Sequence, residues 1–173
     1  MNINNPPKFI AEDKSAKYAN LFLDTCALFK LLANELNEPG TEILQSYLSR
    51  QPGIRIHTSE YCIGEVFGVL KRKWFRDGVL SVDGYLLLIN RIRYKIDNKR
   101  LVLHDLSLSK YFGESSEIVK KYDVDFLDAL FLNHCRFEFA SKGIFVTADE
   151  KLSQAANDFG VLCWNVLKDS NPP

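Results

Sequence analysis

Apolar and polar positions along the 173-residue chain follow two alternating rhythms. Short runs rich in β-branched and aromatic residues, several opened by glycine, read as buried strands: NLFLD (20–24), GIRIHT (53–58), RLVLHD (100–105), GIFVT (143–147) and GVLCWNV (160–166). Between them the apolar residues recur every three or four positions. That period predicts helices over 25–37, 41–49, 59–76, 81–97, 107–122, 125–142 and 150–159. Strands alternating with helices predict an α/β fold, with a mostly parallel sheet covered by helices on both faces. A chain of this length is expected to form one domain. It should span 20–168, between a loose N-terminal extension at 1–19 and a frayed tail at 169–173.

Composition changes this picture little. The opening stretch has no continuous apolar core or cleavage-like pattern, and no apolar run approaches membrane-spanning length. The expectation is therefore a cytoplasmic protein. Cys26, Cys62, Cys135 and Cys163 form no C-x-x-C pair and have no histidine at a zinc spacing, so they read as buried free thiols. His57, His104 and His134 stand apart in sequence and read as structural or surface residues.

Net charge is zero, which argues against a wholly basic nucleic-acid-binding surface, but the charge is unevenly spread. Residues 71–100 hold nine basic side chains against three acidic ones, a local +6 that leaves −6 for the rest. Such a run is commonly a solvated helix face. Here Lys71, Arg72, Lys73 and Arg76 enclose Trp74 and Phe75, a mixture suited to phosphate contact and base stacking on RNA. The two aromatics are equally well explained as core or dimer contacts.

Four carboxylates carry the chemistry. Asp24 ends the first apolar strand where a helix begins, and Asp149 holds the equivalent place after GIFVT. Capping explains each locally. Yet the carboxyl ends of parallel strands are also where ligands gather. Glu65 and Asp128 have apolar residues at their helical i±3 and i±4 positions, so both should face inward, where a lone acid is costly. A salt bridge from Glu65 to Arg72 is the plain structural alternative. Asp125 is better placed as a cap or rim acid. Four acids aimed at one place repel one another unless cations hold them, and oxygen-only ligands suit Mg²⁺ or Mn²⁺. Thr25, Ser59 and Thr147 are candidate second-shell donors, although each could simply cap a helix or brace a loop.

The strand ending in LDT, the helical Glu65 after HTSE, DALFLNHC around Asp128 and the strand entering TAD at Asp149 together resemble the PIN-domain family, including its VapC-like toxin ribonucleases. The resemblance spans about 21–166. It implies a three-layer α/β/α sandwich with a five-stranded parallel sheet. It further implies a Mg²⁺- or Mn²⁺-dependent endoribonuclease whose site is Asp24, Glu65, Asp128 and Asp149, leaving a 5′-phosphate and a 3′-hydroxyl. Compact bacterial and archaeal members are often homodimeric toxins paired with a protein antitoxin. Two features depart from the commonest pattern: the N-terminal extension is long, and Lys151 stands where many members carry a further acid.

Other readings fit less well. DTCAL lacks the second aspartate of a phosphoaspartyl phosphatase, and LFLDT lacks the adjacent acids of a receiver domain. There is no Walker loop, GxGxxG turn or GxSxG elbow. GEVFG at 64–68 reads as tight helix packing. The remaining rival is a PIN-like module that binds RNA or protein without cutting, which typically lacks one or more of the acids.

Overall fold

Leu21, Phe22 and Leu23 are each at most 1 % exposed, because the strand they form, β1 (Asn20–Leu23), lies at the centre of a sheet. The coordinates, a computed structural model, describe residues 19–33, 36–139 and 143–173. Most of the expected N-terminal extension lies outside them. The other strands are β2 (Arg55–Ser59), β3 (Leu101–His104), β4 (Ile144–Thr147) and β5 (Cys163–Asn165). They lie in the order β3-β2-β1-β4-β5, and every neighbouring pair is parallel. A central strand covered on both faces needs apolar side chains at successive positions, which is why LFL and IFV run without polar alternation.

The helices are α1 (Thr25–Leu32), α2 (Thr41–Ser49), α3 (Glu60–Phe75), α4 (Val82–Asp97), α5 (Leu108–Tyr122), α6 (Phe126–Phe139) and α7 (Glu150–Asp158). They associate as two groups, α1 with α2, α3 and α4, and α5 with α6 and α7. The α/β/α sandwich follows from this grouping about a five-stranded, wholly parallel sheet. One boundary differs clearly from the apolar period: α1 ends at Leu32 rather than near residue 37. Ala33 already leaves helical geometry at ψ 46°, Asn37 stands at φ +49°, and Pro39 disfavours helix for the residue before it. The expected end of α6 at 142 falls outside the described residues, which carry that helix to Phe139.

Gly143 shows how closely β4 enters beside β1. A Cβ there would stand 2.7 Å from both the Asn20 carbonyl oxygen and a Phe22 ring carbon. Backbone cannot yield that distance cheaply, so Gly143→Ala should cost roughly 1–3 kcal/mol. Urea unfolding would test this, and an unchanged midpoint would mean the sheet opens freely at that end. By contrast, Gly64 and Gly68 have nothing within 4 Å of a notional Cβ. The expectation of tight packing at GEVFG is therefore corrected: this glycine face of α3 is open.

The three histidines are not isolated. His57 Nε2 meets Asn20 Oδ1 at 3.0 Å, His57 Nδ1 meets His104 Nε2 at 2.9 Å, and His104 Nδ1 meets His134 Nε2 at 3.3 Å. Phe22 and Phe139 lie against the same rings. Each N···N contact can share one proton, so the chain suits neutral imidazoles. Burial, aided by the charges of His104 and Arg55, pushes His57 down to about 4, and burial also lowers His104 and His134. An unfolded histidine takes its proton near 6.5, whereas folded His57 resists until about 4. The unfolded state thus binds more protons between those values. This contribution to stability is complete above pH 6.5 and is lost as pH falls toward 4, on the order of 3 kcal/mol. Denaturation of wild type and His57→Phe between pH 7 and 4.5 should show the steeper acid loss in wild type. Parallel curves would contradict a neutral histidine chain.

Candidate active site

The order of the strands reverses direction at β1 and β4, since the chain moves outward from β1 to β2 and β3 but from β4 to β5 on the other side. Crevices form at the carboxyl ends of strands at such a switch point. Asp24 leaves β1 there and Asp149 follows β4. Asp24 is 1 % exposed and its backbone N–H donates to the Val146 carbonyl at 3.1 Å. Its Oδ1 accepts from the Ala27 N–H at 2.7 Å, capping α1, and its Oδ2 accepts from the Thr147 hydroxyl. Thr147 Oγ1 in turn accepts from the Asp149 N–H at 2.9 Å, while Asp149 Oδ1 caps α7 through the Leu152 N–H at 2.8 Å. Capping and site placement are therefore one arrangement for both aspartates.

Glu65 reaches the same place from the second turn of α3. The Thr25 hydroxyl donates to its Oε2, so its partner is Thr25 and not Arg72, the structural alternative. Asp128 stands in the first turn of α6. Desolvation pushes its carboxyl up to about 8, reinforced by the negative charges of Asp24, Glu65, Asp125 and Asp149. Burial likewise pushes Asp24 up to about 7, against the hydrogen bonds from Thr147 and Ala27 and with the charge of Asp149 adding to it. Four elements thus bring four carboxylates into one electrostatic neighbourhood. The N-termini of α1, α6 and α7 partly offset their repulsion. Among the described residues, no three His, Cys, Asp or Glu side chains come close enough as they stand to hold one ion. Oxygens of Asp24, Glu65 and Asp149 are instead taken by the Thr147 and Thr25 hydroxyls and by the caps of α1 and α7.

The remaining expected residues divide. Thr25 and Thr147 touch the acids, whereas Ser59 caps α3 through the Cys62 N–H at 3.1 Å and touches none of them. Asp125 accepts from the Leu127 N–H at 2.9 Å, a local cap at the start of α6. Lys151 turns away to Asp123, 2.5 Å distant on the surface. Cys26 is exposed beside the acids, which corrects its expected burial; desolvation of its sulfur and the charges of Asp24, Asp128 and Asp149 push the thiol up to about 12. It stays a thiol at neutral pH in the metal-free chain. Lys30, 7 % exposed, is the residue that sequence reasoning missed: its charge lowers Asp24 and Cys26 alike. A lysine within the apolar run ALFKLL was the available signal. In the basic arm, Lys73 is held by Glu38 at 3.0 Å and Trp74 stacks on Tyr85, while Lys71, Arg72 and Arg76 line a cleft that reaches Glu65.

The family model for the PIN domain matches residues 21–158. Among solved structures, the crystal structure of PAE2754 from Pyrobaculum aerophilum has a TM-score of 0.53 at 14% identity, covering 79% of this chain and 84% of that one. At that identity the likeness is one of fold. No curated protein sequence matches the chain. No helix among the described residues is long and apolar enough to cross a membrane.

Proposed function

This chain belongs to the PIN-domain family, and from that premise we propose that it is a Mg²⁺- or Mn²⁺-dependent endoribonuclease acting through Asp24, Glu65, Asp128 and Asp149. Members of the family are in general nucleases that bind divalent metal. The observation that carries the reading is Asp128, whose carboxyl is raised first by burial and then by the charges of Asp24, Glu65 and Asp149, although α6 lies in the opposite helix group from α1 and α3. The donor set of the four acids fits a hard cation, because it is all oxygen. When bound, such a cation supplies Lewis acidity, lowering the pKa of water and stabilising charge on phosphate oxygens.

The chain's own residues prepare that chemistry. Thr147 and the Ala27 N–H fix the Asp24 carboxylate, Thr25 steadies Glu65, and the helix caps hold Asp149. Asp24, Asp128 and Asp149 would carry most of the coordination, with Glu65 closing the site. The cleft that reaches Glu65 along α3 leaves room for a phosphodiester, and the basic side chains lining it attract one.

A second reading, a PIN-like module that binds RNA or protein without cutting, is favoured by one observation: no three acids among the described residues are close enough to share an ion. Purified protein should separate the two. Cleavage of single-stranded RNA that requires Mg²⁺ or Mn²⁺ and stops with chelator supports the nuclease; RNA binding without products under the same conditions supports the module. As a finer step we propose a homodimeric toxin restrained by a protein antitoxin, on the strength of the resemblance and of the adjacent Leu86 and Leu87 on α4, each at least half exposed. Sedimentation of the purified chain and a search for a co-purifying small protein test that step.

A further inference from the structure

The two aromatic residues of the basic arm have different fates. Trp74 stacks on Tyr85, ring centroids 4.9 Å apart, and belongs to the α3–α4 contact. Phe75 is 79 % exposed. A single exposed ring is ordinary on a protein surface, so Phe75 counts through its place beside two arginines. Phe75 lines a cleft of about 640 Å³ with Arg72 and Arg76, and the same cleft runs past Gly68 to Glu65 and Thr25. That volume is ordinary for a small-molecule site.

The charges also point one way. Among the described residues Arg72 has no carboxylate partner, and the Arg76 contact to Asp77, 3.0 Å, is a solvent-exposed one that a phosphate can replace. An acidic peptide would meet those arginines equally well, but it would have to lie against Glu65 at the other end. A nucleotide carries its negative charge in the backbone and offers a neutral aromatic face to Phe75. The glycines on the open face of α3 let a backbone approach closely, since nothing stands within 4 Å of a Cβ at Gly64 or Gly68.

We propose that this cleft is a subsite for one nucleotide of single-stranded RNA flanking the scissile phosphate, with the unpaired base stacked on Phe75 and its phosphate held by Arg72 and Arg76. The inference rests on the nuclease reading for its position beside the acids. Phe75 is then a positioning residue that selects unpaired over duplex RNA, because a base within a duplex has no free face to offer. Lys73, held by Glu38, takes no part.

The test uses the full-length Asp24→Asn protein, in which binding can be followed without cleavage, and a short single-stranded oligoribonucleotide containing 2-aminopurine. Stacking on Phe75 should quench its fluorescence. Adding Phe75→Ala should abolish the quench and weaken binding roughly tenfold, whereas Phe75→Trp should restore both. Gly68→Leu fills the cleft at a point where the fold has space, so it should melt no lower than its parent and yet bind at least several-fold more weakly. A duplex of the same sequence should compete poorly. A quench that survives Phe75→Ala, or undiminished binding by Gly68→Leu, would overturn the subsite. Metal-dependent cleavage by the otherwise wild-type chain is scored separately: if it is present while Phe75→Ala changes nothing, the subsite alone falls. If the wild type cleaves no RNA but the quench depends on Phe75, the nuclease reading falls and the cleft remains an RNA site.

Discussion

Asp24→Asn should abolish metal-dependent RNA cleavage and leave the fold intact. The asparagine keeps the shape of the side chain, and its carbonyl oxygen still accepts from the Ala27 N–H that caps α1. Its amide then faces Thr147 Oγ1, which already accepts from the Asp149 N–H and has a second lone pair. What disappears is a carboxylate that is 1 % exposed and already driven up to about 7 by its burial. Losing that charge costs the fold little, because holding it out of water was itself unfavourable. It costs a hard cation a central ligand. Cleavage should fall roughly 100-fold or more, with circular dichroism unchanged and melting at or above that of wild type. Undiminished cleavage by the variant would remove Asp24 from the site. A collapsed fold would show that the carboxylate is first a structural cap, and Asp149→Asn would then carry the activity test.

Much of this arrangement is legible in one dimension because the relevant distances are local. A strand of three apolar residues followed by Asp, and another followed by Thr-Ala-Asp, place two acids at strand ends, and parallel topology brings strand ends together. Glu65 and Asp128 betray themselves by apolar neighbours one helical turn away. The histidine chain leaves no such trace: His57, His104 and His134 come from β2, β3 and α6, and only the pairing of β2 with β3 and the seating of α6 bring their rings together. Cys26 misleads for a related reason. It sits in an apolar run, yet as the second residue of α1 it is exposed, beside the acids at the strand ends. GEVFG misleads because glycine is equally the signature of close packing and of deliberately open surface, and only neighbours in space decide. Helix ends are less legible than helix faces. The period of α1 runs on past Leu32, but backbone geometry at Ala33 and Asn37 ends the helix first.

The convergence of the four acids can be tested without any substrate. Asp128 has its carboxyl raised to about 8 from an ordinary 3.8, so the folded chain binds that proton more tightly than the unfolded chain does. The sign follows from linkage: the contribution is most favourable below pH 4 and is lost as pH climbs toward 8. Asp128→Asn, which carries no charge at any pH, escapes that loss. In chelator at pH 8.5 the variant should therefore melt several degrees above wild type, a difference on the order of 2 kcal/mol. Near pH 4 the two proteins should melt together. Millimolar Mg²⁺ or Mn²⁺ reverses the comparison, since a cation bound only by the native state stabilises it by mass action and the variant has lost a ligand. Thermal melts at two pH values, with metal and with chelator, give all of these comparisons in one set. If the variant is less stable at pH 8.5 in chelator and responds to metal as fully as wild type, Asp128 is a structural partner within α6 and the four-acid site is wrong. If it is more stable in chelator and insensitive to metal, the cost of burying the Asp128 charge beside the other acids is the same cost that a cation offsets when it binds.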